Sequence, residues 1–203
     1  MRNRVGLFGG TFNPIHFGHL RVAEEAMRQF GLAKVVFLPT GHPPHKQVAE
    51  GVPGDLRYQM VCLAVRGRPG LTVSRHEVDK DGPSYTVDTV EAMKRRYPQG
   101  VAYIVGADIF SNIEAWKDYQ RLLQSCPFVV APRGRVSSEA FRRAVFRGAE
   151  LHFLDMQEVS LSSSEIRRRY RDGRPTGGLV PPAVDAFIRA HGLYGVAGRG
   201  EAG

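Results

Sequence analysis

Two histidines, His16 and His19, stand three residues apart behind the run Gly9-Gly10-Thr11-Phe12-Asn13-Pro14-Ile15. The short apolar run Val5-Gly6-Leu7-Phe8 comes before them, and a helical pattern follows. That order reads as strand, glycine turn, helix. Glycines let a backbone come close to a ligand. The first turn of a helix offers unpaired N–H groups and the positive end of a dipole, which favour phosphate. Imidazole N–H groups placed there can donate to phosphate oxygens that gain charge in a transition state. The chemistry expected is therefore nucleotide-phosphate binding at the edge of a parallel sheet. Zinc is the rival reading for paired histidines. It needs further ligands at suitable spacing, and none stands out.

A second stretch has the same character. In Leu161-Ser162-Ser163-Ser164-Glu165-Ile166-Arg167, Ser162 and Glu165 fit a capping box, with Leu161 and Ile166 as its hydrophobic staple. This marks a helix N-terminus that carries serines and an arginine. By itself it is a plain cap with a solvent arginine, and Arg168 and Arg169 read as solvated. Lys46 lies in Pro43-Pro44-His45-Lys46, within a long loop. Gly106 and Asp108 end a strand, where an Asp often only caps a helix. Ser84-Tyr85-Thr86 opens a helix whose backbone could bind a carboxylate. Trp116 could stack on a planar ring or serve as core.

The elements that must position these residues follow from periodicity. Val5 to Phe8 is a strand buried on both faces, and Lys34 to Pro39 is another. Between them Leu20, Ala23, Met27 and Phe30 form one helix face, and Gly31 suits the C′ position. This β-α-β order implies a right-handed crossover and a parallel sheet. Thr40 to Gly54 reads as a long surface loop at the carboxyl end of a strand, the place where ligands bind in open α/β sheets. A helix over 55–65 should turn Leu56, Met60, Leu63 and Ala64 inward. Leu71 to Ser74 is a short strand, and Glu77 to Pro83 a charged turn region. A helix opened by Ser84 buries Val87, Val90 and Met93, and Pro98 stops it. Strands follow over 101–105, 126–131 and 151–154. Short helical pieces are expected over 109–113 and 116–123, and a helix over 137–146. Ala183 to Ala190 reads as a final helix, in a C-terminal helical part that runs to about 194, and the Gly-rich tail over 195–203 reads as flexible.

The 203 residues fit one domain. The chain is 42% hydrophobic and 24% charged, ordinary for a soluble globular protein. Its formal net charge of +8 suits phosphorylated small molecules, nucleic acid or an anionic surface. No basic stretch interleaved with aromatics supports nucleic-acid binding. The apolar runs are too short to span a membrane, and the N-terminus is not a signal peptide, so a cytoplasmic protein is expected. Cys62 and Cys126 read as buried, reduced thiols. A homo-oligomer is compatible with the sequence.

The opening turn, as G-G-T-F-N-P-x-H-x-G-H-L, resembles the signature of the nucleotidyltransferase α/β-phosphodiesterase superfamily, in particular its bacterial nicotinate-nucleotide adenylyltransferases. Pro43 to Lys46, Gly82 to Thr89, Gly106 to Asp108, Trp116 and Leu161 to Arg167 agree in order, so the resemblance spans residues 4–194. It implies a Rossmann-like three-layer α/β/α fold with a mainly parallel central sheet and a small helical C-terminal part, as one domain over 1–203 with a mobile loop at 40–54. It implies transfer of the adenylyl group of ATP to the 5′-phosphate of nicotinate mononucleotide, giving deamido-NAD and pyrophosphate. His16, His19 and Arg167 would be catalytic. Gly9, Gly10, Thr11, Phe12, Gly106, Asp108, Ser163, Ser164 and Ile166 would join them in holding ATP. Asn13, Lys46, Ser84, Tyr85, Thr86 and Trp116 would hold the mononucleotide. Mg²⁺ would ride on the ATP phosphates, with no metal site on the protein. Other acceptors, nicotinamide mononucleotide or phosphopantetheine, are the alternatives, as is a non-catalytic nucleotide-sensing module. One departure stands out. Several relatives have a Tyr after this Trp, where this chain has Lys117.

Overall fold

A strand such as Val5 to Phe8 has no polar face, so both of its sides must be covered. A computed structural model, which describes residues 1–41 and 51–196, places it at the centre of a sheet. The described strands are β1 (Val5–Gly10), β2 (Lys34–Pro39), β3 (Leu71–Val73), β4 (Val101–Gly106), β5 (Phe128–Ala131) and β6 (Leu151–Phe153). All are parallel, in the order β3-β2-β1-β4-β5-β6. The order reverses between β1 and β4, and ligands of open α/β sheets bind outside such a reversal, at the carboxyl ends of the strands.

The helices are α1 (Phe17–Phe30), α2 (Gly54–Val65), α3 (Thr86–Arg96), α4 (Ala107–Phe110), α5 (Tyr119–Ser125), α6 (Ser163–Arg171) and α7 (Pro182–Ala190). Successive strand residues point to opposite faces, which sorts the core into two layers. Phe8, Val35, Phe37, Ile104 and Val129 pack with residues of α1, α2, α6 and α7. Leu7, Val36, Leu38, Tyr103, Val105 and Phe128 pack with residues of α3 and α5. The result is the three-layer α/β/α, Rossmann-like arrangement. Helix α1 buries Leu20, Ala23 and Ala26, and it ends at Gly31, whose φ of +61° only glycine adopts without cost.

Four local expectations need correction. The stretch 137–146 makes two 3₁₀ turns, Ser138–Phe141 and Ala144–Phe146, in place of a helix. Phe141 and Phe146 are five residues apart, a spacing that an α-helix spreads over different faces. Two short turns let both reach Phe110, at centroid distances of 5.9 and 5.3 Å. Ser84 does not open α3, whose N-cap is Tyr85; it is buried and donates to the Glu77 carbonyl at 3.5 Å. Helix α2 buries Arg57 along with Met60, Val61 and Ala64, while Leu56 and Leu63 are only half-buried. After α7 the chain turns at His191–Gly192 into a 3₁₀ turn, Leu193–Gly195, that buries Tyr194. The loop expected at 40–54 lies mostly outside the described residues, as does most of the tail. Both cysteines are free thiols; Cys62 is only half-buried, whereas Cys126 is buried, which pushes its thiol up to about 12.

Phe110 is fully buried and stacks on Phe128 at 4.8 Å as well as meeting Phe141 and Phe146. Phe110→Ala should therefore lower the unfolding free energy by about 3–5 kcal/mol in a urea titration. A loss below about 1 kcal/mol would show that this cluster does not pack as described.

Candidate functional site

The turn after β1 leaves the sheet through Gly9 and Gly10. A β-carbon on Gly9 would run into the Tyr103 hydroxyl, so a larger residue here would have to displace that side chain. Phe12 then takes a left-handed φ of +48°, and Asn13–Pro14 is cis. Three side chains hold this irregular backbone, and a fourth holds the Asn13 side chain. Arg57 Nη1 donates to the Thr11 carbonyl at 2.8 Å, and Arg167 Nη1 donates to the Asn13 carbonyl at 2.8 Å. Ser163 Oγ donates to the Pro14 carbonyl at 2.9 Å, and the Tyr194 hydroxyl donates to Asn13 Oδ1 at 2.7 Å.

His16 is the N-cap of α1 and His19 its third residue. Their rings stack at 3.7 Å between centroids. The His16 N–H donates to His19 Nδ1 at 3.3 Å. That makes Nδ1 of His19 the acceptor and leaves the proton of the neutral ring on Nε2. His16 is 2% exposed, and neither of its ring nitrogens has a hydrogen-bond partner among the described residues. A buried polar group left this way calls for a partner from outside the chain. Burial, reinforced by the Arg133 guanidinium, lowers the His16 pKa to about 4. Burial first, then His16 and Arg133, hold His19 well below its usual range. At neutral pH both rings are uncharged.

The second helix start faces the first. Ser162 Oγ accepts from the Glu165 N–H at 3.2 Å, so half of the capping box forms. The Glu165 carboxylate pairs instead with Arg168 and Arg169, which are therefore not merely solvated. Ser163 and Arg167 lace this helix to the turn, and Arg167 Nη2 also donates to Ser164 Oγ at 3.3 Å.

A cavity of about 400 Å³ opens between the two helix starts. Gly9, Gly10, Thr11, Phe12, Asn13, His16, His19, Gly106, Trp116, Ser163, Ser164 and Arg167 all line it. No aspartate or glutamate is among the described lining residues. Asp108 stands just behind the wall, 3.2 Å from Arg133 Nε, and its Oδ1 has no partner among the described residues. Ile166 is turned into the core, and its N–H is bonded to the Ser162 carbonyl. Ser84, Tyr85 and Thr86 do not line the cavity. Of the three, Thr86 hydrogen-bonds the hydroxyl of Tyr103, which does line it. Lys117 Nζ lies 4.4 Å over the Tyr85 ring and 3.4 Å from Asp88 Oδ2, so it clasps the start of α3. Lys46 lies outside the described residues. Among the described residues no group of three or more His, Cys, Asp or Glu could hold a metal.

Sequence reasoning missed Arg133, Tyr103, Arg57 and Tyr194. Arg133 follows Ala131-Pro132 at the carboxyl end of β5, the same kind of place as Gly106 after β4, and that was its signal. Tyr103 was visible as the one hydroxyl in an apolar strand.

The His16 pKa carries a stability consequence. A histidine that titrates near 6.5 unfolded and about 4 folded stabilises the protein above pH 6.5, and this is lost as the pH falls to about 4. His16→Asn should lack roughly 3 kcal/mol of that pH-dependent loss, compared with wild type by denaturant titration at pH 7 and pH 4. Identical pH dependence in both proteins would mean that His16 is not buried uncharged.

Comparison with known proteins bears on this site. A family model described as cytidylyltransferase-like matches residues 7–169. A protein of Moorella thermoacetica, named a probable nicotinate-nucleotide adenylyltransferase, is 41% identical over 94% of this chain and 91% of its own. One of the same name from Thermus thermophilus is 42% identical over 94% of this chain and 99% of its own. A solved structure of Plasmodium falciparum nicotinic acid mononucleotide adenylyltransferase complexed with NaAD superimposes with a TM-score of 0.80. It covers 97% of this chain and 99% of its own at 16% identity, so it speaks to the fold alone. By fold, by family model and by sequence identity over nearly its whole length, the chain belongs to the nicotinate-nucleotide adenylyltransferases of the cytidylyltransferase-like family.

Proposed function

We propose that the protein transfers the adenylyl group of ATP to the 5′-phosphate of nicotinate mononucleotide, giving deamido-NAD and pyrophosphate. The observation that carries this reading is the pairing of two phosphate-favouring helix starts across one cavity with no carboxylate among its described lining residues. An acceptor phosphate oxygen attacks the α-phosphorus of ATP. The bond from that phosphorus to the bridging oxygen breaks, and pyrophosphate leaves with the electron pair. The nucleophile is already an anion, so no general base is needed, which agrees with the lack of Asp and Glu among the described lining residues.

The residues then work by position and charge. The neutral His19 ring donates from Nε2, and His16 offers its unpartnered ring to a phosphate oxygen. Neutral rings can donate without storing repulsion against Arg133. An arriving triphosphate raises their pKa, because a nearby anion favours the imidazolium. Arg167, Ser163 and Ser164 face the β- and γ-phosphates, and Arg133 adds a further cation. Gly106 and Asp108 take the adenosine side. Trp116 packs edge-on to Tyr103 at 6.4 Å and offers its face to a pyridine ring. Thr86, held by the Tyr103 hydroxyl, and Lys117 bring a helix start and a cation toward the acceptor carboxylate. Lys46 would reach the phosphates from its loop. Magnesium would ride on the triphosphate oxygens. A cytoplasmic location belongs to the same proposal.

The test is an assay of purified wild type and His19→Ala with ATP and magnesium, offering nicotinate and nicotinamide mononucleotides separately. Wild type should adenylylate the acid form faster than the amide. His19→Ala should fall by about 10²–10³-fold in turnover with its fold intact. Adenylylation of neither mononucleotide would overturn the reading. Equal rates would overturn the acid preference, and His19→Ala activity within a few-fold of wild type would remove His19 from the mechanism.

A further inference from the structure

Arg57 is among the largest fully buried side chains of the described residues, and no carboxylate pairs with it among them. Its partners are three backbone carbonyls. Nε donates to Val52 at 3.2 Å, Nη1 to Thr11 at 2.8 Å and Nη2 to Gly41 at 3.1 Å. Burying a guanidinium without a counter-ion is costly, so a fold that keeps one gains something from its geometry. The gain lies in the Thr11 carbonyl. A trans peptide is planar, with its C=O and N–H pointing in opposite directions. Arg57 draws the Thr11 oxygen down toward α2, so the N–H of Phe12 in the same peptide is aimed the other way. Thr11 and Phe12 both line the cavity. Phe12 is also the residue at φ +48°, a backbone state that a bulky side chain avoids unless its surroundings impose it.

We propose that Arg57 is a positioning residue for the phosphate-binding turn, its three-pronged grip on Thr11, Gly41 and Val52 aiming the Phe12 N–H at the ATP phosphates. This rests on the function proposed above. The effect is geometric. The cation that depresses both site histidines is Arg133, and Arg57 does not act on them. A lysine at position 57 would keep the charge and lose the fork that reaches three carbonyls at once.

The experiment compares wild type, Arg57→Met and Arg57→Lys, with folding checked by circular dichroism. It measures Mg-ATP binding by calorimetry and KM for each substrate. Both variants should weaken ATP binding by about tenfold and leave the KM for nicotinate mononucleotide within about twofold. Arg57→Lys should not restore ATP affinity. Should Arg57→Met fail to fold, Arg57→Lys decides alone. A folded Arg57→Lys that binds ATP like wild type overturns the proposal. So does a variant whose turnover falls only through a smaller active fraction, with both KM values unchanged. Wild type that binds ATP but adenylylates no mononucleotide defeats the functional reading, and the ATP affinities of the variants still decide the role of Arg57.

Discussion

Arg167 Nη1 donates to the carbonyl of Asn13 across 154 residues of chain, and Ser163 Oγ donates to the next carbonyl, that of Pro14. These bonds turn two separate helix starts into one site. Each helix start alone is a weak attractor for an anion, worth a fraction of a kilocalorie to about 1 kcal/mol where water can compete. Fixed to each other across a 400 Å³ cavity, they act on a single ligand from two sides. The bonds also explain why the chain returns. Helix α6 enters the layer that holds α1, and Tyr194 comes back to bond the side chain of Asn13. The early turn is thus finished by the last described turn of the chain.

The electrostatic design is restrained. Four side chains of basic type, His16, His19, Arg133 and Arg167, line the cavity, yet burial keeps the two histidines uncharged in the free protein. The empty site carries less self-repulsion than its composition suggests. Charge on the histidines becomes favourable only when phosphate arrives, and transition-state charge is where such donors matter most. Asp108 limits the effect of Arg133 by pairing with it.

Much of this was legible in the sequence. Two-faced apolar strands, the spacing from Leu20 to Phe30 and Gly31 fixed the first β-α-β, and parallel topology followed from it. The paired histidines and the Ser162 start were legible because caps and glycine turns are local chemistry. What escaped depended on distant neighbours. Nothing in the sequence around Arg57 shows that Thr11 and Gly41 supply its carbonyls. Phe141 and Phe146 looked helical because the apolar target they share, Phe110, lies about thirty residues upstream. Ser84 has good capping chemistry, but its hydroxyl donates to the carbonyl of the buried turn residue Glu77. Tyr194 sits in a glycine-flanked stretch, and its hydroxyl partner is 181 residues away.

The central claim is that both helix starts grip the same triphosphate. Backbone amide resonances followed by NMR during a titration with Mg-ATP test it most directly. Resonances of Gly10, Phe12 and His19 in the first start, and of Ser163 and Ser164 in the second, should move together along one binding curve with a common dissociation constant. Movement at one start alone, or two curves with different constants, would contradict a single site built from both.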